Sequence, residues 1–208
     1  MSIYELKPRF QALLRPLVIR LHAMGVTANQ VTLAACAVSV ALGLWLFFAA
    51  PSLAAFGLIP LWMFLRMAFN AIDGMLAREH NQQSKLGAFL NELTDVVSDA
   101  ALYLPFALVQ PFSGFWVGTV IVLAGLSEFA GALGPTVGAS RRYDGPLGKS
   151  DRAFVFGALG PYVALGGPLP GWTAWLMPLL AALVAWTTIN RIRRALAEAD
   201  HKNSTGTQ

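Results

Sequence analysis

The feature that most restricts the fold is a series of apolar segments long enough to cross a membrane. Residues 31–50 include no charged side chain, and about 20 apolar helical residues span the roughly 30 Å hydrocarbon core of a bilayer. Further apolar segments follow along the chain, which is 56% hydrophobic and only 12% charged. Such a composition is not that of a soluble globular domain. The sequence therefore predicts an all-α integral membrane protein.

The apolar segments divide the chain into three parts. We predict an amphipathic interfacial helix in residues 1–26, six transmembrane helices in residues 27–195, and a polar, disordered cytoplasmic tail in residues 196–208. The predicted spans are residues 31–50, 53–78, 86–109, 115–137 and 153–165, and a last span that ends near Asn190. Thr27 and Gln30 have the spacing of a capping box, which predicts that a helix begins there.

The N-terminal helix, predicted over residues 3–24, carries apolar side chains on one face and basic side chains elsewhere. This pattern is typical of a helix that lies in the membrane surface, with its basic groups near anionic lipid headgroups. Two roles stay open for it: an anchor that orients the protein, or a lateral gate.

The distribution of charge predicts the orientation in the membrane. The chain has a formal net charge of +4, and its basic residues fall on one side of the predicted spans or in helix ends near that side. This is the positive-inside pattern, which places both termini and the polar loops in the cytoplasm. Because topology accounts for the basicity, we predict no nucleic-acid partner.

The stretch over residues 70–95 carries the chemistry. Residues three or four apart share a face of a helix, so this stretch forms two polar stripes. The first stripe is Asn70, Asp73 and Ala77, and the second is Gly87, Asn91 and Asp95. A turn over residues 79–85 between antiparallel helices would make the stripes face each other. Their oxygen atoms suit a hard cation such as Mg²⁺, which fills its other positions with water and substrate phosphate.

The same stretch resembles the signature of the CDP-alcohol phosphatidyltransferases, whose spacing is D-x2-D-G-x2-A-R-x8-G-x3-D-x3-D. The matching positions are Asp73, Gly74, Ala77, Arg78, Gly87 and Asp95. The chain departs from the signature at Asn70 and Asn91, which stand at its first and third aspartate positions. The resemblance is closest to a bacterial inner-membrane branch and extends over nearly the whole sequence.

The resemblance implies an enzyme that moves a phosphatidyl or other phosphoalcohol group from a CDP-linked donor, such as CDP-diacylglycerol, to an alcohol and releases CMP. The implied assignments are Asp95 as the catalytic base, Asp73, Asn70, Asn91 and Asp95 as ligands of Mg²⁺ or Mn²⁺, and Gly74, Ala77 and Arg78 as CDP-binding residues, with Gly87 accessory. It further implies a homodimer among the membrane lipids of the bacterial inner membrane, with its active site facing the cytoplasm.

Three more charged residues are candidates for an accessory role. Arg66 lies one turn before Asn70 on the same stripe, and it would either face the site or pair with Asp95, Asp99 or Glu128. Asp99 lies one turn beyond Asp95 and would either supply negative charge to the site or pair with Arg66. Glu128 lies inside a predicted span, where an acid is either functional or held by hydrogen bonds in a structural role.

The polar segment over residues 138–152 contains Arg141, Arg142 and Lys149. Guanidinium groups and helix N-termini both bind phosphate oxygens, so we predict that these three side chains bind a substrate phosphate. That phosphate belongs either to a phosphorylated acceptor or to the donor.

The two asparagines leave one competing interpretation. An amide oxygen coordinates Mg²⁺ without contributing charge, so Asn70 and Asn91 predict weaker metal binding or a different number of metal ions. The alternative is a catalytically degenerate family member that acts as a lipid- or nucleotide-binding membrane scaffold. Retention of Arg78 and Asp95 favours the enzyme, because packing alone would not require both.

Overall fold

A computed structural model describes residues 3–49, 52–166 and 168–205. The chain is helical over these ranges and contains no β-strand in them, as the sequence predicts. The helices are α1 (Ile3–Ala23), α2 (Ala28–Phe48), α3 (Leu58–Glu79), α4 (Lys85–Tyr103), α5 (Gly114–Ala132), α6 (Lys149–Ala164) and α7 (Leu176–Thr205). Short 3₁₀ turns extend several of them.

Side-chain caps determine where the central helices begin. The predicted capping box is confirmed at the start of α2, where Thr27 Oγ1 accepts from the Gln30 amide at 3.3 Å and Gln30 Oε1 accepts from the Thr27 amide at 2.9 Å. Ser84 caps α4, since its hydroxyl accepts from the Gly87 amide at 2.9 Å. Only a short turn therefore separates α3 from α4.

Within the part of the chain that the structure describes, four segments are long and apolar enough to cross a membrane. They are Ala28–Phe48, Leu53–Glu79, Gly114–Ala132 and Gly171–Lys202. Helix α4 is not among them because its 19 residues include four charged side chains, Lys85, Glu92, Asp95 and Asp99. Helix α6 is not among them because it has only 16 residues and a charged first turn. A count of six spans stays a prediction.

The packing of the helices leaves a cleft beside α2. Helix α2 packs closely against both α3 and α4, whereas α3 and α4 make few close backbone approaches to each other in the part of the chain that the structure describes. Helix α5 packs against α7, and α6 packs against α3. The apolar core lies deeper in the bundle, where the rings of Tyr103 and Phe156 stack with centroids 3.8 Å apart. The polar residues of α3 and α4 consequently border open space.

The contact between α2 and α4 depends on a glycine. A Cβ atom at Gly43 would overlap the backbone carbonyl of Ala101. We expect Gly43→Ala to lower the free energy of unfolding by about 1–3 kcal/mol, because an extra methyl group in a tight contact forces the helices apart. Thermal unfolding in detergent measures the effect.

Gly118 in α5 is the matched control, since a Cβ atom there would meet nothing within 4 Å. We expect Gly118→Ala to change stability by less than about 0.5 kcal/mol. Equal losses at both positions would contradict the close contact at Gly43.

The N-terminal helix α1 contacts the bundle through one face. Helix α1 packs against α3, with Val18 fully buried and Leu13 and Ile19 exposed, and Arg15 pairs with Glu79 at 2.9 Å. Its position in the membrane surface stays a prediction.

The prediction of a disordered tail over residues 196–208 is wrong as far as residue 205. Helix α7 continues to Thr205 because Glu198 holds it to the preceding loop: its carboxylate accepts from the Ser140 hydroxyl and from Arg142, both at 2.7 Å. Residues 206–208 lie outside the described part of the chain.

Candidate active site

The aspartate of the α3 stripe, Asp73, lies inside the bundle. Asp73 is only 6% exposed, and its Oδ2 accepts a 2.7 Å hydrogen bond from Thr32 Oγ1 on α2. Asp73 also lies within electrostatic range of Asp95 and Lys149. The sequence did not single out Thr32; its one signal was a hydroxyl in an otherwise apolar segment.

The stripe on α4 passes from the interior to the surface. Asp99 is buried, Asp95 is partly exposed and Asn91 is exposed. Because successive members lie about one helical turn apart, the stripe presents one carboxylate to the protein interior and the next to a solvent-accessible cleft. Asp95 is thus the carboxylate of this stripe that lies next to the buried Asp99 and can also reach a ligand.

Residues from both stripes line a cavity of about 610 Å³. Its signature residues are Asp73, Gly74, Ala77 and Arg78 from α3 and Gly87 and Asn91 from α4. Asn29 and Thr32 of α2 close one side. The structure therefore brings the predicted CDP-binding residues to one cavity, which is large enough for a nucleotide.

Arg78 is available to a ligand in this cavity. Its side chain is exposed and makes no hydrogen bond or ion pair within residues 3–49, 52–166 and 168–205. A Cβ atom at Gly74 would stand 2.9 Å from a guanidinium nitrogen of Arg78, and one at Gly87 would stand 2.8 Å from Asn29 Oδ1. The two glycines thus leave room where the polar groups lie.

Two adjacent cavities share residues with this region. A cavity of about 620 Å³ is lined by Arg66, Asn70, Asp99 and Lys149, among others, and one of about 360 Å³ is lined by Asn91, Asp95, Asp99 and Lys149, among others. Asn70 therefore borders the cavity on the Arg66 side rather than the one that contains Asp73.

Arg66 pairs with two of the acids considered for it. Its guanidinium is 6% exposed and lies 2.5 Å from Asp99 Oδ1 and 2.9 Å from Asp95 Oδ1. It also donates to the backbone carbonyl of Asp95 at 3.2 Å. Asp99 therefore pairs with Arg66, one of the two roles that the sequence left open for it, and Arg66 also contacts Asp95 directly.

Glu128 belongs to a buried ion-pair cluster that adjoins the site, since Arg152 also lies 4.0 Å from Asp99 and Glu128 itself lines the 360 Å³ cavity. Its Oε1 lies 2.8 Å from Arg152, its Oε2 lies 3.3 Å from Arg191, and both guanidinium groups are 1% exposed. Arg191 also donates to the carbonyl of Ser127 at 2.5 Å. These contacts favour the structural alternative for Glu128. The sequence did not predict roles for Arg152 or Arg191, because their partners lie on distant helices.

Each of the three predicted phosphate-binding cations has an acidic partner. Arg141 pairs with Glu92, and Lys149 pairs with Asp95 Oδ2. Arg142 pairs with Asp144 and Glu198, each at 2.7 Å, and it is not among the residues that line the 360 Å³ cavity. Arg142 thus holds the loop to α7, while Arg141 and Lys149 face the cavity.

Asp144 is the centre of that loop contact. Burial alone would raise the pKa of its carboxyl group, but hydrogen bonds and charge from Arg142 and Arg194 hold this pKa below its ordinary value. The carboxylate consequently stays ionised at neutral pH, as its ion pairs with Arg142 and Arg194 require.

The donor set fits one divalent ion better than two. Asp73 offers a carboxylate, and Asn91 offers an amide oxygen at the same cavity. Both oxygens of Asp95, by contrast, are paired with cations, Arg66 and Lys149. Among the residues with described positions, no group of three His, Cys, Asp or Glu side chains could hold a metal ion by itself. Mg²⁺ commonly binds through one or two carboxylates together with substrate phosphates, and this set can meet that requirement once.

Comparisons with known proteins show which family the chain belongs to. The model of the CDP-alcohol phosphatidyltransferase family matches residues 25–189. The inner membrane protein YnbA of Escherichia coli K12 is 48% identical over 199 residues, which cover 94% of this chain and 97% of YnbA.

Two crystal structures of phosphatidylinositol phosphate synthase PgsA1 from Mycobacterium tuberculosis share the fold. The complex with manganese and citrate aligns with a TM-score of 0.69 at 22% identity and covers 87% of this chain and 88% of that one. The structure with CDP-DAG bound aligns with a TM-score of 0.67 at 23% identity and covers 86% and 92%. The matched signature, the fold and the extent of the family match lead to one conclusion: the chain belongs to the CDP-alcohol phosphatidyltransferase family and is a transferase of that kind.

Proposed function

We propose that the protein transfers a phosphatidyl or other phosphoalcohol group from a CDP-linked donor, such as CDP-diacylglycerol, to an alcohol in phospholipid biosynthesis. The observation that carries this proposal is the 610 Å³ cavity, to which both halves of the signature contribute and where Arg78 has no ion-pair partner among the described residues. The CDP-DAG bound to a protein of the same fold, PgsA1, supports the choice of donor.

The nucleotide part of the donor fits the α3 side of the cavity. Gly74 and Ala77 permit close approach of a ligand to the helix. Arg78 supplies a permanent positive charge for a phosphate. Lys149 lies at the first position of α6, and it can exchange its partner Asp95 for a phosphate oxygen of the donor. These contacts would place the diphosphate between the cavities that meet near Asp95.

The reaction follows from this placement. The hydroxyl oxygen of the acceptor attacks the β-phosphorus of the donor, the bond between that phosphorus and the bridging oxygen breaks, and CMP leaves with the bridging oxygen. Asp95 accepts the hydroxyl proton, because an alcohol is a poor nucleophile at neutral pH without a base. A bound Mg²⁺ or Mn²⁺ ion supplies charge neutralisation for the diphosphate. We assign Asp73 and Asn91 to hold it, because they line the same cavity, whereas Asn70 borders the adjacent one.

We place the protein in the bacterial inner membrane, with the active site and both termini on the cytoplasmic side. YnbA is described as an inner membrane protein, which supports this location. The basic residues at the site supply the positive charge that favours the cytoplasmic face. The homodimer implied by the family resemblance stays a prediction.

A CMP-release assay tests the proposal. The purified chain in detergent is incubated with Mg²⁺, cytidine-labelled CDP-diacylglycerol and a panel of alcohols with and without phosphate groups. We expect labelled CMP to appear only with a suitable acceptor and to stop when EDTA removes the divalent ion. Absence of CMP with every acceptor, from protein that still binds CDP, would contradict the enzyme and favour the scaffold.

The role of Arg78 can be measured without turnover. We expect Arg78→Gln to weaken CDP binding by about 10- to 100-fold, since a hydrogen bond to a charged group contributes about 1.5–3 kcal/mol. Isothermal titration calorimetry with CDP provides the dissociation constant.

Arg20→Gln on α1 is the matched control, because Arg20 is also exposed but is not among the residues lining the cavity. Equal effects of the two substitutions would show a general charge effect and would contradict direct binding by Arg78.

A further inference from the structure

The site combines two neutral side chains at signature aspartate positions with a positive charge one helical turn away. The stripe on α3 has Asn70 where the family signature has an aspartate, and the stripe on α4 has Asn91 at another such position. One turn before Asn70, the same stripe carries Arg66. A region with two fewer carboxylates than the signature therefore also contains a guanidinium group.

The guanidinium of Arg66 is fixed in the position of a bridging cation. It lies 2.9 Å from Asp95 Oδ1 and 2.5 Å from Asp99 Oδ1, so one positive charge joins two carboxylates on successive turns of α4. Its donation to the Asp95 carbonyl at 3.2 Å further restricts its orientation. A buried cation of this kind is held firmly, because its removal would leave Oδ1 of Asp95 and Oδ1 of Asp99 without the cation that they contact.

Lys149 completes the shell around Asp95. Its ammonium group pairs with Oδ2, the oxygen that Arg66 leaves free, and it approaches from α6 rather than α3. Both oxygens of Asp95 therefore contact cations that belong to the protein. A divalent ion bound to Asp95 would have to displace one of these cations.

The charge balance leads to the same conclusion. The carboxylates of Asp73, Asp95 and Asp99 face the ammonium of Lys149 and the guanidinium groups of Arg66 and Arg152, which leaves no net charge. The negative charge of a nucleotide diphosphate can then balance a single dication. A pair of dications needs more anionic ligands than this site contains.

We propose that Arg66 is a built-in cation that holds Asp95 where a second divalent ion would otherwise bind, so that the site binds one divalent ion. Lys149 is the exchangeable partner of Asp95, because its flexible chain starts at a helix end, whereas Arg66 is enclosed by the bundle. Arg66 thus positions Asp95, and Lys149 can move to a phosphate. The proposal rests on the site described above, although its test requires no catalysis.

Counting bound Mn²⁺ tests the proposal. Electron paramagnetic resonance of free Mn²⁺ is recorded during titration of the purified full-length chain in detergent with saturating CDP. We expect one ion per chain for the wild type and for Arg66→Lys, which keeps the charge. We expect two ions for the triple variant Arg66→Met, Asn70→Asp, Asn91→Asp, because it loses the cation and gains two carboxylates.

The double variant Asn70→Asp, Asn91→Asp is the control that retains Arg66. We expect it to bind one ion, at least tenfold more tightly than the wild type. Any stoichiometry other than one for the wild type, or two ions in the double variant, would overturn the proposal even if the triple variant failed to fold. A single ion in a folded triple variant would overturn it as well. If the ion counts are as expected but no CMP is released, the proposed activity is rejected and the proposal about Arg66 stands.

Discussion

Asp95→Asn is expected to lower the rate of CMP release by about 10³-fold, within the range of 10²–10⁴ that a general base contributes. The amide has nearly the same shape as the carboxylate, but it cannot accept the hydroxyl proton. It also removes the negative charge that contacts both Arg66 and Lys149. Turnover measured with saturating donor and acceptor gives the effect.

Glu79→Gln is the control for the loss of an acidic side chain that does not line the cavities. Glu79 ends α3, is exposed and pairs with Arg15 at 2.9 Å, away from the cavities. We expect its turnover to stay within about twofold of wild type, since exposed ion pairs contribute about 0–1 kcal/mol. Binding of CDP and thermal unfolding establish that Asp95→Asn remains folded. A folded variant with wild-type turnover would remove Asp95 from the role of base.

Glu128→Gln is expected to lower the free energy of unfolding by about 3–5 kcal/mol, the cost of removing one member of a buried ion-pair cluster. The substitution leaves the guanidinium groups of Arg152 and Arg191, both 1% exposed, without the carboxylate that joins them. The loss affects three helices at once, because Glu128 lies on α5, Arg152 on α6 and Arg191 on α7. The midpoint of thermal unfolding in detergent measures it.

Glu92→Gln is the matched control, since Glu92 pairs with Arg141 but both side chains are about one third exposed, at 29% and 32%. We expect a loss of about 1 kcal/mol or less there. The two open alternatives for Glu128 predict different results. A structural acid loses stability and retains turnover in the folded fraction, whereas a functional acid loses turnover with little change in the unfolding midpoint. The second result would contradict our assignment.

Local patterns along the chain accounted for the features that depend on near neighbours. The apolar segments predicted a helical membrane protein, and the spacing of Thr27 and Gln30 predicted where α2 begins. Helical periodicity grouped Asn91 with Asp95, which line one cavity, and the signature predicted the family. These inferences succeeded because helix formation, capping and face sharing involve residues only a few positions apart.

Packing between distant segments decided the remaining features. The sequence could not choose among Asp95, Asp99 and Glu128 as partners of Arg66, and it predicted disorder where Glu198 anchors α7 to the loop before α6. It assigned Arg142 to phosphate, although the folded chain pairs it with Asp144 and Glu198.

The sequence by itself thus determined the helical class, the family and the identity of the polar stripes. Only the tertiary structure decided which charges neutralise one another and which, such as Arg78, stay available to a ligand. The physical reason is that an ion pair requires two side chains within a few ångströms. That distance depends on how helices separated by many residues pack together, and no local pattern specifies it.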